Sequence, residues 1–391
     1  MNIFTKAVHV GDRRKPGPHI PVTAPITTAS SYVYETMQQL DDVFAAPDSG
    51  YCYARYDNPT NSGLEELVTA LENGHGTLAC SSGMAALNAA IQTALLDRPK
   101  RIVAANALYG ATISLLDKLL DPFGVPTTYV DICDLGAVER AIAETKPGCV
   151  LLETISNPLL RVGAIDRIAE MTRGAGAALV VDNTFATPLL VRPLELGAHM
   201  VVHSATKYLA GHGDVLGGLI TSDQEHYAVL RQVSRIYGPV LGPFESYLTM
   251  RGVKTFALRM ERQCANACRV ASWLATNPKV GKVNFTADSA HPDAATIARL
   301  FPKGLYGAMI SFELRDAGRA EVFAFMDRLK LIVRATSLGD VHSMMLYPAM
   351  ASHRDLPPKQ RERLGIRDSL VRLSVGIEAA EDIIEDLDRA L

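Results

Sequence analysis

Between Asn61 and about residue 250 the chain alternates two textures, and this alternation restricts the possible folds more than any other feature. Short apolar runs bounded by turn residues read as buried strands: Arg101–Ala105, Cys149–Leu152, Ala178–Val181, Met200–Val202 and Gly217–Thr221. Between them Met84–Leu96, Thr112–Leu120, Leu135–Glu144 and Ile165–Arg173 carry apolar residues at three- and four-residue spacing, as helices covering a sheet do. Strand and helix in turn predict an α/β fold around a mostly parallel sheet. Residues 1–60 are rich in Pro, Thr, Ser, Tyr and Gly with weak periodicity, which predicts an extended arm. After residue 250 a long helical pattern, Phe256–Ala275, precedes strands near Ala308–Leu314 and Leu370–Val375 and a closing helix, Ala379–Leu391. The expected organisation is an arm over 1–60, a ligand-binding domain over 61–250 and a smaller α+β domain over 251–391.

Charge and cysteine usage narrow the partners. The 39 basic and 42 acidic residues give a formal net charge of -3 without long blocks of either sign, so nothing draws the chain to nucleic acid or a membrane surface. The six cysteines, Cys52, Cys80, Cys133, Cys149, Cys264 and Cys268, form no CxxC pair and no zinc-like spacing with histidine, so no metal is expected. The first residues lack the apolar core of a signal peptide, and no apolar run approaches the roughly 18 residues of a membrane span. A soluble cytoplasmic protein is expected, with small molecules or copies of itself as partners.

The segment Ala178–Thr184 followed by His203–Lys207 points to chemistry. One buried strand ends in Asp182-Asn183 and the next in Ser204-Ala205-Thr206-Lys207, and ligands of open α/β sheets gather outside the carboxyl ends of the strands. Pyridoxal phosphate needs a lysine to form an imine, a carboxylate to keep its ring nitrogen protonated and donors for its phosphate. Lys207, Asp182 and the hydroxyls of Ser204 and Thr206 supply one of each. Further phosphate donors are expected from the turn Ser81-Ser82-Gly83-Met84, which opens an apolar helix and offers its free amides and positive dipole end. Tyr109, just before the helix from Thr112, is placed to stack on the ring. Singly, each has an ordinary explanation as a cap, loop or packing residue. Jointly they form a chemically complete set.

These residues carry a family resemblance. The stretch Val181-Asp182-Asn183-Thr184-Phe185 through Ser204-Ala205-Thr206-Lys207-Tyr208 and Gly211-His212-Gly213-Asp214 is similar to the signature of the transsulfuration enzymes of Cys/Met metabolism. The likeness extends over nearly the whole chain and implies pyridoxal-phosphate fold type I, the aspartate-aminotransferase-like fold. Tyr53-Ala54-Arg55 with Asn58-Pro59-Thr60 looks like the family's arm motif, which implies that Tyr53 and Arg55 reach the cofactor phosphate of a neighbouring subunit in a homotetramer. Ser337-Leu338-Gly339-Asp340 and Arg372-Leu373-Ser374 resemble its C-terminal motifs, with Arg372 gripping the substrate carboxylate and Ser337 beside it. Asn157, before Pro158, resembles the residue that touches both cofactor and carboxylate.

The resemblance implies that Lys207 is the proton shuttle and Tyr109 the acid for a departing sulfur, in γ-elimination of the methionine γ-lyase or cystathionine γ-lyase type that gives 2-oxobutyrate, ammonia and a thiol. Departures bear on the substrate: Ala111 stands where methionine γ-lyases have a cysteine, and Ser234 and Arg235 where they have a Lys-Asp pair. Thr336 replaces the glutamate common in cystathionine γ-synthases and γ-lyases. The alternatives are γ-replacement on an acylated homoserine and an inactive regulator on the same fold. His199 and His203 are expected to pack, and His212 to shape its loop.

Overall fold

The computed structural model describes residues 1–12, 19–46, 49–354, 361 and 364–391. Seven strands form the first sheet: β1 (Gly76–Cys80), β2 (Ile102–Ala105), β3 (Thr127–Val130), β4 (Cys149–Glu153), β5 (Ala178–Asp182), β6 (Met200–Ser204) and β7 (Gly218–Ser222). Their order is β1-β7-β6-β5-β4-β2-β3, parallel throughout except β7, which runs against both neighbours. Six strands therefore point the same way, so Cys80, Glu153, Asp182 and Ser204 all end on one rim. That rim carries the site.

Strands β1, β2, β4 and β7 are short and buried from end to end, because helices such as Gly83–Leu95 and Pro59–Glu72 pack against the sheet. A second sheet contains β8 (Val280–Asn284), β9 (Met309–Leu314), β10 (Val333–Arg334), β11 (Met344–Leu346) and β12 (Leu370–Ser374), in the order β10-β11-β12-β9-β8. The helix Phe256–Thr276 serves both apolar cores, giving Phe256, Met260 and Cys264 to one and Ala267, Val270 and Leu274 to the other. No helix among the described residues is long and apolar enough to cross a membrane.

Several local expectations change. The first sixty residues are not extended throughout: Ile3–His9 and Met37–Ala45 are helices, the second opened by a capping box between Thr36 and Gln39. Ile3, Ala7 and Ala24 enter the larger core, so part of the arm is anchored on its own chain. The segment expected as one helix from Thr112 is an α-helix, Gly110–Ser114, that widens into a π-helical stretch, Leu115–Leu120. Strand β1 carries a buried threonine, tolerated because the Thr77 hydroxyl lies 2.7 Å from that of Thr69 and 2.8 Å from that of Thr221.

Candidate active site

At the rim, β5 and β6 place their last side chains on the same face of the sheet, since Asp182 pairs in parallel register with Val202 and Ser204 lies two residues further along. Asp182 Oδ1 accepts from the Thr184 amide at 2.9 Å, and the Thr184 hydroxyl accepts from the Ser204 amide at 2.9 Å, so the two strand ends are locked together. Burial raises the Asp182 carboxyl, opposed by the hydrogen bonds from Thr184 and the charge of His203. Lys207 follows in a turn closed by its own amide on the Ser204 carbonyl. Its Nζ donates to Ser337 Oγ at 2.9 Å, a neutral partner, and burial together with the charge of Arg372 lowers its affinity for a proton. Thr206 holds the turn in place by exchanging hydrogen bonds with Gly217.

The helix Gly83–Leu95 begins beside Ser204. Ser82 caps it through Oγ on the Ala85 amide at 3.1 Å, while the amides of Gly83 and Met84 have no acceptor within the helix by construction. A Cβ at Gly83 would lie 2.9 Å from the Ser204 Cβ, so only glycine lets the helix start come this close to β6. The result is a cradle of small residues and amide donors at the positive end of a thirteen-residue helix.

Opposite stands Arg372 on β12, 2% exposed. Its guanidinium donates to Asn157 Oδ1 at 2.8 Å and to the Ser337 carbonyl at 3.3 Å, and lies 5.8 Å from the Phe185 ring centre. Its Nε is buried with no hydrogen-bond partner among the described residues. Burial pulls it down to about 10, so it stays charged at neutral pH. A buried cation bonded only to neutral oxygens is costly unless an anion joins it.

These groups line one cavity of about 450 Å³, with Ser82, Gly83, Met84, Tyr109, Asn157, Asp182, Ser204, Thr206, Lys207 and Arg372 in its wall and Phe185, Leu216, Leu338 and Leu346 as apolar surface. Ser337 reaches it through Lys207. Tyr53 and Arg55 are not in that wall: Arg55 Nη1 donates to the Arg235 carbonyl at 2.5 Å and its guanidinium lies 4.9 Å from the Tyr56 ring centre. Thr336 lines the cavity, whereas Ala111, Ser234 and Arg235 do not, and Arg235 pairs with Asp57 at 3.1 Å. His199 accepts from the Leu179 amide at 2.9 Å, the buried His203 meets the buried Glu72 at 2.5 Å and the exposed His212 bonds the Ala210 carbonyl at 2.7 Å.

Sequence reasoning missed one member of the site. Glu153 ends β4 in the cavity wall, accepting from the Tyr109 amide at 2.6 Å and the Asn157 amide at 3.2 Å. His353, buried and pulled down to about 4 mainly by burial, lies outside that wall and bonds Ser352, which together with Ala351 lines the cavity.

Comparison with known proteins follows the same lines. A family model described as Cys/Met metabolism PLP-dependent enzyme matches residues 4–391. The L-methionine gamma-lyase of Fusobacterium nucleatum subsp. nucleatum is 40% identical over 393 residues, covering 99% of this chain and 97% of that protein. The cystathionine gamma-lyase of Bacillus subtilis is 42% identical over 348 residues, covering 89% and 90%. Among solved structures, cystathionine gamma-lyase from Lactobacillus plantarum complexed with L-serine superposes with a TM-score of 0.92 at 36% identity, over 100% of this chain and 98% of that one.

Proposed function

We propose that this chain, which belongs to the Cys/Met metabolism PLP-dependent enzyme family and has its type I fold, cleaves the γ carbon–sulfur bond of a sulfur amino acid to give 2-oxobutyrate, ammonia and a thiol. The observation that carries this reading is that the half-buried Lys207 and the buried Arg372 line one cavity together with apolar surface from Phe185, Leu216, Leu338 and Leu346. The residues fit pyridoxal phosphate: the cradle at Gly83 closes if a Cβ is added, and the carboxyl of Asp182 stands across from it at the neighbouring strand end. When bound, this cofactor supplies an electron sink for charge developing on the substrate's α carbon.

The chain's own residues divide the remaining work. The amides of Gly83 and Met84 and the hydroxyls of Ser204 and Thr206 would hold the phosphate, Tyr109 would cover the ring and Asp182 would face its nitrogen. Arg372, steadied by Asn157, grips the substrate carboxylate. Lys207 removes the α proton and moves protons at the neighbouring carbons, a role suited to an amine whose proton affinity is lowered by burial. Tyr109 gives a proton to the leaving sulfur. With Thr336 where relatives of the resembled subgroups hold a glutamate, the distal wall of Leu216, Leu338 and Leu346 favours an apolar thioether tail.

The test is product analysis. Methionine, cystathionine and an O-acylhomoserine are each incubated with the holoenzyme, with and without added thiol. The proposal expects 2-oxobutyrate and thiol from a thioether without an acceptor, whereas thioether formation from the acylhomoserine as the main reaction would replace it with γ-replacement.

The working form we propose is a cytoplasmic homotetramer in which Tyr53 and Arg55 complete a neighbour's phosphate site. Arg55→Ala is expected to lower cofactor occupancy or reduce the assembled mass below four chains by light scattering. A fully loaded, unchanged assembly would remove this contact from the account.

A further inference from the structure

Glu153 and Asp182 are directly paired across β4 and β5 in parallel register. Register neighbours in a parallel pair point to the same face, and adjacent strands are about 5 Å apart, so the two carboxyls stand side by side at the rim. Like charges this close and this poorly hydrated do not both ionise cheaply, so the pair tends to retain a proton. The same Glu153 carboxyl accepts, on one oxygen, the amide of Tyr109 at 2.6 Å and, on the other, the amide of Asn157 at 3.2 Å. Asn157 in turn accepts from Arg372 at 2.8 Å. One side chain thus touches the loop that presents Tyr109, the loop that steadies Arg372 and the acid that faces the cofactor ring.

We propose that Glu153 is a positioning residue of the site, which keeps the proton of the carboxyl pair so that Asp182 stays ionised toward the ring nitrogen, and whose two oxygens set the distance between Tyr109 and the Asn157–Arg372 grip. This rests on the reading of Asp182 given above. The charged and titratable groups facing Glu153 are Asp182 from β5, Arg372 from β12 and Tyr109 from its loop. Burial first, and the charge of Asp182 second, raise Glu153 to about 8 against the opposing pull of the two amides and of Arg372. His353, at about 4, is neutral and adds no charge at working pH. A protonated carboxyl keeps lone pairs on both oxygens, so it still accepts both amides. A positive ring nitrogen beside Asp182 would oppose the effect of burial on that carboxyl and leave the proton on Glu153.

The test uses holoenzyme and infrared difference spectroscopy of the carboxyl region against pH. The wild type is expected to show a protonated carboxyl band that disappears as pH rises through about 8. Glu153→Gln removes the band, and Asp182→Asn moves its loss to lower pH, because the neighbouring negative charge is gone. Glu153→Gln also lowers kcat by about 100-fold, the cost of displacing aligned groups by about 1 Å. Should that variant fail to load cofactor, Glu153→Asp carries the test: the titrating carboxyl remains while its shortened reach still lowers kcat. A band that persists in Glu153→Gln, or that stays at the same pH in Asp182→Asn, overturns the proposal. Undiminished turnover of Asp182→Asn overturns it by a separate route, by removing the reading of Asp182 on which it stands.

Discussion

Lys207→Ala is expected to lower turnover by about 100- to 10,000-fold from the lost proton transfers alone, with a further loss from the missing covalent hold on the cofactor. The size follows from the surroundings. Among the described residues the Lys207 ammonium has one neutral partner, Ser337, and it shares its cavity with the charge of Arg372, so it surrenders a proton more readily than a surface lysine. Among the described residues no second lysine lines the cavity to substitute for it. A lowered proton affinity also fixes the sign of the pH effect: the base-competent form grows as pH rises toward its lowered value, so the acidic side of the rate profile should climb with pH. Steady-state kinetics of the variant, with and without a small primary amine added in place of the missing side chain, measure both the loss and its partial rescue. Full turnover in the unrescued variant would take the lysine out of the mechanism.

Arg372→Ala carries the second large effect. Truncating one member of a buried charge pair costs about 2–5 kcal/mol, so substrate binding should weaken by about 30-fold to several thousand-fold. The arginine lies between Asn157 and the Ser337 carbonyl, with no carboxylate of the described residues in hydrogen-bond reach, which is why a bound carboxylate gains so much from it. The cofactor should remain, because the cradle at Gly83 is built from other elements, so the visible absorption of the holoenzyme is the control. Arg372→Lys is expected to recover only part of the affinity, since an ammonium cannot keep both neutral contacts and present a two-pronged donor. Loss of cofactor with the substrate site intact would mean that the two ends of the cavity have been exchanged.

How much of this was legible in the sequence depends on where each residue's partners lie. Lys207, Asp182 and Ser204 end runs of buried apolar residues, and a strand end with a reactive group is visible locally. Their meeting on one rim followed from the parallel alternation, and the register of β5 with β6 bears it out. Strand β1 was not legible, because Thr77 breaks its apolar run and only Thr69 and Thr221, distant in sequence, satisfy it. Edge strand β3, Thr127–Val130, is partly exposed and too polar to announce itself. Glu153 escaped notice for a related reason: a glutamate closing a run of Val and Leu looks like the point where a strand meets water. Nothing local says that its carboxyl is buried against Asp182. Arg372 belongs to the second sheet, so its place in the cavity came from the family resemblance and not from periodicity. Tyr53 and Arg55 were read the same way, and in the single chain they lie away from the cavity, beside Tyr56 and Arg235.

If Lys207 holds the cofactor in this cavity, chemical trapping will find it there. Borohydride reduction of the holoenzyme makes a lysine–cofactor bond permanent, and peptide mass mapping then locates it. A cofactor-mass adduct is expected on the peptide containing Lys207, and its loss in Lys207→Ala. An adduct on another lysine, or none in a coloured and active protein, would contradict it.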